Sequence, residues 1–206
     1  MKLHFSLTVF IIFLFNSASY SQLRIHVGSG INVSKLNSSD ASFEFFKSKS
    51  AVNYFISVRP ELGLSEKWAV STDLQFSQKG YLATSQIADV AGYRFQFLDL
   101  IPQIEYKMIP QAAIYGGVGI GIRLNEKNKI NDIWKESYGK LANNVDPTYV
   151  IGARFIPMHR LSVQVQFAST LGDFIDLEFT DAFGNPAPNI SNSLSNIQIG
   201  ITYQVF

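Results

Sequence analysis

The chain contains no cysteine among its 206 residues. This absence excludes a disulfide framework, a thiolate metal site and a lipid-anchored cysteine. Charged residues are also scarce, at 16% of the chain, where about 25% is usual in a soluble domain. The formal net charge is only +1, and Lys2 contributes one positive charge to a segment that we predict to be removed. A mature chain close to neutral has no basic face for nucleic acid, so we expect no such partner.

Long apolar runs are absent as well. No segment is apolar for the roughly 18–20 residues that a membrane-spanning helix needs. The apolar stretch Leu7 to Phe15 follows Lys2 and precedes small serine residues, an order typical of a secretory signal peptide. We therefore predict that residues 1–21 are a signal peptide and that residues 22–206 form one domain beginning at Gln22. An uncleaved membrane helix is the alternative, and this stretch is too short for it.

The remaining sequence alternates between apolar and polar residues. In the stretch Leu194 to Phe206, isoleucine, tyrosine and valine occupy one face and polar residues or glycine occupy the other. A period of two predicts a strand with one apolar and one polar side. The same pattern predicts eight strands, and they span Leu23 to Val33, Val52 to Leu64, Trp68 to Leu82, Tyr93 to Met108, Gln111 to Arg123, Pro147 to Ile156, Arg160 to Leu171 and Leu194 to Phe206.

The connections between these strands alternate in length. Short turns are predicted at residues 65–67, 109–110 and 157–159, and long polar loops at residues 34–51, 83–92, 124–145 and 172–193. Outer-membrane barrels have this asymmetry, with short periplasmic turns, long extracellular loops and an even number of strands. The predicted fold class is therefore all-β, an eight-stranded antiparallel up-and-down transmembrane β-barrel in contact with outer-membrane lipid. A soluble, ligand-binding barrel of the lipocalin type is the alternative, with its apolar face turned inward.

Aromatic residues favour the membrane alternative because they cluster at the ends of the predicted strands. Interfacial girdles of a transmembrane barrel have this distribution. We predict two girdles, a lower one of Trp68, Tyr106, Phe155 and Tyr203 and an upper one of Tyr54, Tyr93 and Tyr149.

The fourth strand has an irregular pattern. Its apolar positions shift by one residue near Phe97, and a β-bulge re-phases a strand in this way. Pro102 lies inside the same strand, where proline removes a ladder hydrogen bond.

The end of the chain carries a second pattern. It resembles the terminal-strand signal that the barrel assembly machinery reads in outer-membrane barrels. The residues that carry this resemblance are Gln198, Gly200, Tyr203 and Val205, with Phe206 one residue beyond. The assembly machinery is therefore an expected partner during insertion.

Several motifs along the chain resemble the PorT-type outer-membrane β-barrel family of Bacteroidota. They are Arg59-Pro60-Glu61-Leu62-Gly63, Phe76-Ser77-Gln78-Lys79-Gly80, Phe97-Leu98-Asp99-Leu100-Ile101-Pro102 and Ala113-Ile114-Tyr115-Gly116-Gly117-Val118-Gly119. The third motif departs from the family pattern by one inserted residue, Ile101. The resemblance implies an OmpX-like eight-stranded barrel in the outer membrane, reached after export through the inner membrane. It implies no single activity, although the founding member acts in secretion and gliding.

Charged residues on the polar faces are the candidate site. In an eight-stranded barrel the lumen is narrow and filled by side chains, and a buried charge must be paired. We therefore expect a lumen charge network, and a proton or ion path is the alternative. Its predicted members are Arg59, Glu61, Asp73, Asp99, Glu105, Arg123 and Arg154.

Catalytic and cofactor motifs are absent from the sequence. Gly117, Gly119 and Gly121 precede no helix and therefore do not form a phosphate-binding loop. His26 and His159 have no triad or metal-ligand spacing around them. The acidic loop of Asp173, Asp176, Glu178 and Asp181 lacks EF-hand spacing, which favours a solvated loop over a calcium site. We expect no enzyme activity, cofactor or metal, and instead a barrel whose extracellular loops bind a surface or partner.

Overall fold

The computed structural model describes residues 23–38, 48–83, 90–137, 141–175 and 191–206. Nine strands lie in these ranges: β1 (Leu23–Ser38), β2 (Ser48–Gly63), β3 (Trp68–Ala83), β4 (Val90–Ile109), β5 (Ala112–Ile130), β6 (Ile133–Glu136), β7 (Val145–Met158), β8 (Leu161–Thr170) and β9 (Asn192–Gln204). No helix in this part of the chain is long and apolar enough to cross a membrane. The predicted signal peptide lies outside the described residues.

Eight of the strands close into a barrel. Each pairs antiparallel with the strands before and after it in the wall, and β9 returns to pair with β1 over residues 192–204 and 26–38. The prediction of an eight-stranded antiparallel barrel is confirmed. The ninth strand, β6, pairs only with the upper end of β5 and stands outside the closed ring.

Side chains alternate between the lumen and the outer surface as the period of two predicts. In β8, Gln164 and Gln166 are each 1% exposed, whereas Val165 is 47% exposed. The interior is therefore polar and the exterior apolar, which is the reverse of a lipocalin-like barrel. An apolar exterior of this extent matches a barrel wall in lipid and does not favour the soluble alternative.

The barrel wall is taller than the apolar pattern predicts. β1 continues to Ser38, where it pairs with Asn192, and β2 begins at Ser48, although residues 34–51 were expected to be loop. Above the apolar belt the outward positions of β1 are polar, as at Lys35 and Asn37, so the apolar-out alternation that marks the strand in the sequence ends while backbone pairing continues.

The predicted polar loop from Leu124 to Val145 is corrected in the same way. β5 runs on to Ile130 and turns back into β6 through Asn131 and Asp132, which have φ of 49° and 63°. Positive φ at both central residues is typical of the type I′ turn that joins two-residue hairpins. A hairpin therefore extends the wall beyond the ring.

The expected bulge lies on β5 and not on β4. The β3–β4 register is continuous from Trp68↔Tyr106 to Tyr81↔Tyr93. Against β5, Gln96 pairs with Asn125 and Phe97 pairs with Arg123, so Leu124 is the extra residue.

The pairing of β4 with β3 continues without a shift through Pro102. Pro102 lies on the outer face opposite Thr72, while Ile101 points into the lumen with 4% exposure.

Tyr93, Phe95 and Phe97 share the lumen face with Asp99, so the apparent phase shift in β4 is a change of residue type on one face. Phe95 and Phe97 are 0% exposed. Tyr93 packs against the same internal cluster, and its assignment to the upper girdle is therefore wrong. The other six predicted girdle residues lie on the outer-facing side of their strands, and Trp68 and Tyr106 pack with ring centroids 4.8 Å apart.

Candidate functional site in the barrel lumen

Ion pairs fill the lumen at the end where β1 begins and where the short turns lie. Oε1 of Glu61 accepts a hydrogen bond from Nη1 of Arg24 at 3.3 Å. Its other oxygen, Oε2, lies 3.3 Å from Nε2 of His26 and 3.8 Å from Nη1 of Arg154. Arg154 also pairs with Glu105. Glu61, Glu105 and Arg154 are at most 3% exposed, so each ion relies on its partners in place of water.

Amides occupy the middle of the lumen. Nη1 of Arg59 donates to Oε1 of Gln164 at 3.1 Å, and Nε2 of Gln198 donates to Oε1 of Gln75 at 2.9 Å. Asp73 is 1% exposed and lies among these side chains. These contacts join strands on opposite sides of the barrel and leave little free space between them.

A second charge cluster lies closer to the long connections. Nζ of Lys79 is 3.0 Å from Asp99 and 3.5 Å from Asp146, and Ser77 donates to Asp99 at 2.5 Å. The ammonium also lies 4.7 Å from the centroid of the Phe97 ring. One cation between two carboxylates gives this cluster one excess negative charge.

Apolar side chains close the lumen at its far end. Phe174 contacts Phe95 and Phe97, with ring centroids 5.1 Å and 6.2 Å apart. The connection that supplies Phe174 meets the one before β7 at an isolated bridge between Ala142 and Ile175. We call this cluster the outer plug, and its other buried members are Leu36, Tyr81 and Leu194.

A polar clasp holds one of these connections to the wall. Arg123 pairs with Glu126 and donates to Asn144 at 2.9 Å. Glu126 in turn accepts from the backbone N–H of Leu141 at 3.1 Å. The clasp fixes the chain next to Ala142, which is part of the outer plug.

The structure divides the predicted charges into these groups. Arg59, Glu61, Asp73, Glu105 and Arg154 lie in the half near the short turns, Asp99 lies in the Lys79 cluster, and Arg123 lies in the clasp at the upper end. No ion pair joins Arg123 to the other six predicted members among the described residues.

Sequence reasoning missed Lys79, Asp146, Arg24, His26 and Glu126 as charged partners. Lys79 follows Asp73 and Gln75 on the same face, so the period of two contained the signal. Asp146 lay just outside the predicted strand, which began at Pro147, because β7 begins two residues earlier than its apolar pattern does. Glu126 reaches the lumen face only because of the bulge at Leu124.

Glycines make room for large side chains inside the barrel. A Cβ at Gly121 would collide with Asp99 and approach Phe97, and one at Gly152 would collide with the Tyr115 ring. Tyr115 therefore depends on a glycine in β7 and not on the glycine run of β5 that contains it.

Metal and catalytic chemistry find little support in the described residues. No group of three or more His, Asp or Glu is placed there to hold a metal ion. His159 is exposed on the turn between β7 and β8, whereas His26 lies 3.3 Å from Glu61 in the lumen. Asp173 accepts from the backbone of Asn192 at 2.9 Å, and Asp176, Glu178 and Asp181 lie outside the described residues.

The terminal strand closes the barrel seam. Gln198 points into the lumen, while Tyr203 and Val205 are outward with 45% and 55% exposure. Gly200 pairs with Gly30, and the Phe55 ring lies against both. The backbone carbonyl of Phe206 accepts from Ile25 at 2.8 Å, so pairing extends to the last residue.

Residues 16–176 match the outer membrane protein beta-barrel domain family. The chain belongs to this family. A family member with a polar lumen and an apolar exterior is an outer-membrane β-barrel protein, as the sequence predicted. No curated protein matches the chain.

Solved structures of outer-membrane barrels share this fold at low identity. The attachment invasion locus protein Ail of Yersinia pestis has a TM-score of 0.51 at 12% identity and covers 88% of this chain and 97% of its own. Neisserial surface protein A has a TM-score of 0.54 at 7% identity, covering 87% and 96%. OprG of Pseudomonas aeruginosa has a TM-score of 0.50 at 11% identity, covering 88% and 95%. At these identities the likeness extends to the fold alone.

Proposed function

We propose that this outer-membrane barrel is a non-enzymatic surface protein that binds a protein partner through its extracellular rim. The observation that carries the proposal is the outer plug. Phe95, Phe97 and Phe174 close the lumen with apolar rings, which argues against the proton or ion path. A blocked lumen leaves the rim as the part of the protein that meets the surroundings of the cell.

The β5–β6 hairpin is the best candidate for the binding surface. Ile133 is 61% exposed beside the tip, and the guanidinium of Arg94 lies 4.0 Å from the centroid of the Trp134 ring. Aromatic residues and arginine are enriched where proteins bind one another. At the tip, Lys129 and Asp132 form an ion pair at 2.8 Å, and the hydrogen bond from Lys129 lowers the pKa of the Asp132 carboxyl.

The hairpin can be deleted without opening the wall, because its two strands are hydrogen-bonded to each other at their base. The backbone N–H of Ser137 donates to the carbonyl of Glu126 at 3.1 Å. Replacing residues 127–136 by Asn-Gly therefore closes a short type I′ hairpin and leaves the clasp and the plug intact. We expect heat-modifiable folding to persist while cross-linking to the surface partner is lost.

A point variant separates the surface from the fold. Trp134→Ala should weaken cross-linking, whereas Lys35→Gln, an exposed change on the upper part of β1, should not. A partner captured equally well by the barrel without its hairpin would contradict the proposal.

The narrower assignments are also proposals. The motifs around Arg59, Phe76 and Phe97 support the PorT-type family of Bacteroidota, but the family and fold matches do not favour its secretion or gliding role. Export with removal of residues 1–21 would produce a mature chain beginning at Gln22. Amino-terminal sequencing of protein from outer membranes checks this, and an intact Met1 would contradict it.

A further inference from the structure

The lumen opens into a cavity at the end of the short turns. Its volume is about 350 Å³, within the range of roughly 300–1,000 Å³ that small ligands occupy. Short turns face the periplasm in outer-membrane barrels, so this cavity is reached from the periplasm. Its upper side is the Glu61–Arg154–Glu105 group, above which the glutamines and the outer plug fill the lumen.

Cations outnumber carboxylates around this cavity. Its charged lining consists of four cations, Arg24, Lys107, Arg154 and Arg160, and two carboxylates, Glu61 and Glu105. With His26 and His159 neutral, the lining has a formal excess of two positive charges. A cleft with low-dielectric walls and one excess sign of charge concentrates ions of the opposite sign.

Two of these cations are not matched by a carboxylate. No ion pair joins Lys107 or Arg160 to a described residue. Arg160 is exposed on the β7–β8 turn, and Lys107 is half-buried near the end of β4. They stand at the rim of the cavity, where an anion entering from the periplasm would meet them first.

Arg154 supplies donors deeper in the cavity. Its side chain is 2% exposed, and its Nε and Nη2 atoms have no hydrogen-bond partner among the described residues. A buried guanidinium with free donors is costly unless an acceptor reaches it. Guanidinium groups bind phosphate and carboxylate oxygens through paired N–H donors, so the lining suits an oxyanion.

We propose that the periplasmic cavity binds a soluble phosphate or small phosphate monoester, held by Arg154 from above and by Lys107 and Arg160 at the rim. The excess of two positive charges matches a phosphate dianion. The ligand enters and leaves on the periplasmic side, because the outer plug blocks the other end. This site is independent of the extracellular rim and does not rest on the proposed function.

The test uses the whole barrel refolded in maltoside micelles, which contain no phosphate. Inorganic phosphate is titrated by calorimetry, and we expect saturable binding with one site per barrel. Lys107→Gln and Arg160→Gln should each weaken it about fivefold, the effect of about 1 kcal/mol for a partly exposed charge. The matched controls are Lys35→Gln and Lys135→Gln, which remove exposed lysines from the opposite end and should leave the affinity unchanged. Heat-modifiable migration verifies that each variant is folded.

Two results would overturn the proposal. The first is the absence of saturable binding, or an equal loss of affinity in the control variants. The second comes from barrels in nanodiscs that contain phosphatidylglycerol. If these bind free phosphate much more weakly than barrels in micelles, a lipid headgroup occupies the cavity and the soluble ligand is wrong.

Discussion

Phe174, which lies in the connection between β8 and β9, packs edge-on against Phe95 inside the barrel, with ring centroids 5.1 Å apart and ring planes at 82°. A residue from a connection thus completes the apolar cluster inside the barrel. Both side chains are at most 1% exposed, and edge-to-face pairs of this kind stabilise beyond their buried area. The described part of this connection therefore belongs to the fold as well as to the surface.

Phe174→Ala should destabilise the barrel by about 3–5 kcal/mol, since it opens a cavity in a packed apolar cluster. Phe174→Leu retains most of the volume and should cost less. Urea titration in micelles, followed by the shift between folded and unfolded bands, measures both. Equal midpoints for the alanine variant and the native chain would show that the plug adds nothing to stability.

Val165 and Gln164 test which face of the wall meets lipid. Val165→Arg places a cation on the outer surface and should cost about 2–4 kcal/mol near the membrane midplane, whereas Val165→Leu should be tolerated. Gln164 is not a suitable arginine control because it already accepts from Arg59 at 3.1 Å. Cysteine labelling is cleaner, since the native chain has none. A bilayer-restricted probe should label Val165→Cys and spare Gln164→Cys. The opposite pattern would show that Gln164 and not Val165 faces the lipid.

Glu105 and Arg154 form a buried ion pair that a double-mutant cycle can measure. Glu105→Leu alone should destabilise the barrel by about 3–5 kcal/mol because it leaves a buried guanidinium short of a partner. Adding Arg154→Met should recover much of this loss. Glu61 is only 3.8 Å from Arg154, so Glu61→Gln in the Glu105→Leu background should deepen the defect. Strictly additive single and double variants would mean that the two side chains are not coupled.

If the last strand carries an assembly signal, as its resemblance implies, we expect a defect in cells that refolding does not reproduce. Phe206→Ala removes the ring and keeps the backbone hydrogen bond to Ile25. We expect less barrel in outer membranes and unchanged refolding of purified chain into micelles. Met158→Ala is the control, because Met158 is also an exposed apolar residue near the short turns, at 67% exposure. An equal loss in both variants would point to general lipid contact and not to a signal.

The alternation of residue types predicted the barrel because lipid and lumen impose opposite polarity on the two faces of each strand. That rule holds for Val163 to Gln166 in β8 and fails above the belt. Phe95 and Phe97 obey the geometry but break the chemical rule, since the outer plug makes the lumen apolar at that height. A period of two cannot distinguish a change of phase from a change of environment on one face.

Only part of the candidate site could be predicted from the sequence. Glu61 and Arg154 were predictable because any charge on an inward position of a narrow barrel needs a partner. Which partner it takes depends on register, and register follows from pairing over many residues. The plug was not predictable, because Phe174 lies in a segment with turn-forming residues and no periodicity.

The bulge at Leu124 gives β5 two side-chain frames, one below the extra residue and one above it. Arg123 and Glu126 both face inward although an odd number of steps separates them. The odd–even numbering of inward and outward positions in the spanning part therefore changes phase above the bulge and does not carry over to the hairpin. The hairpin sequence can therefore change without altering the residue pattern of the wall beneath it. In that wall, one face of the strand must contact lipid and the other must fill the lumen.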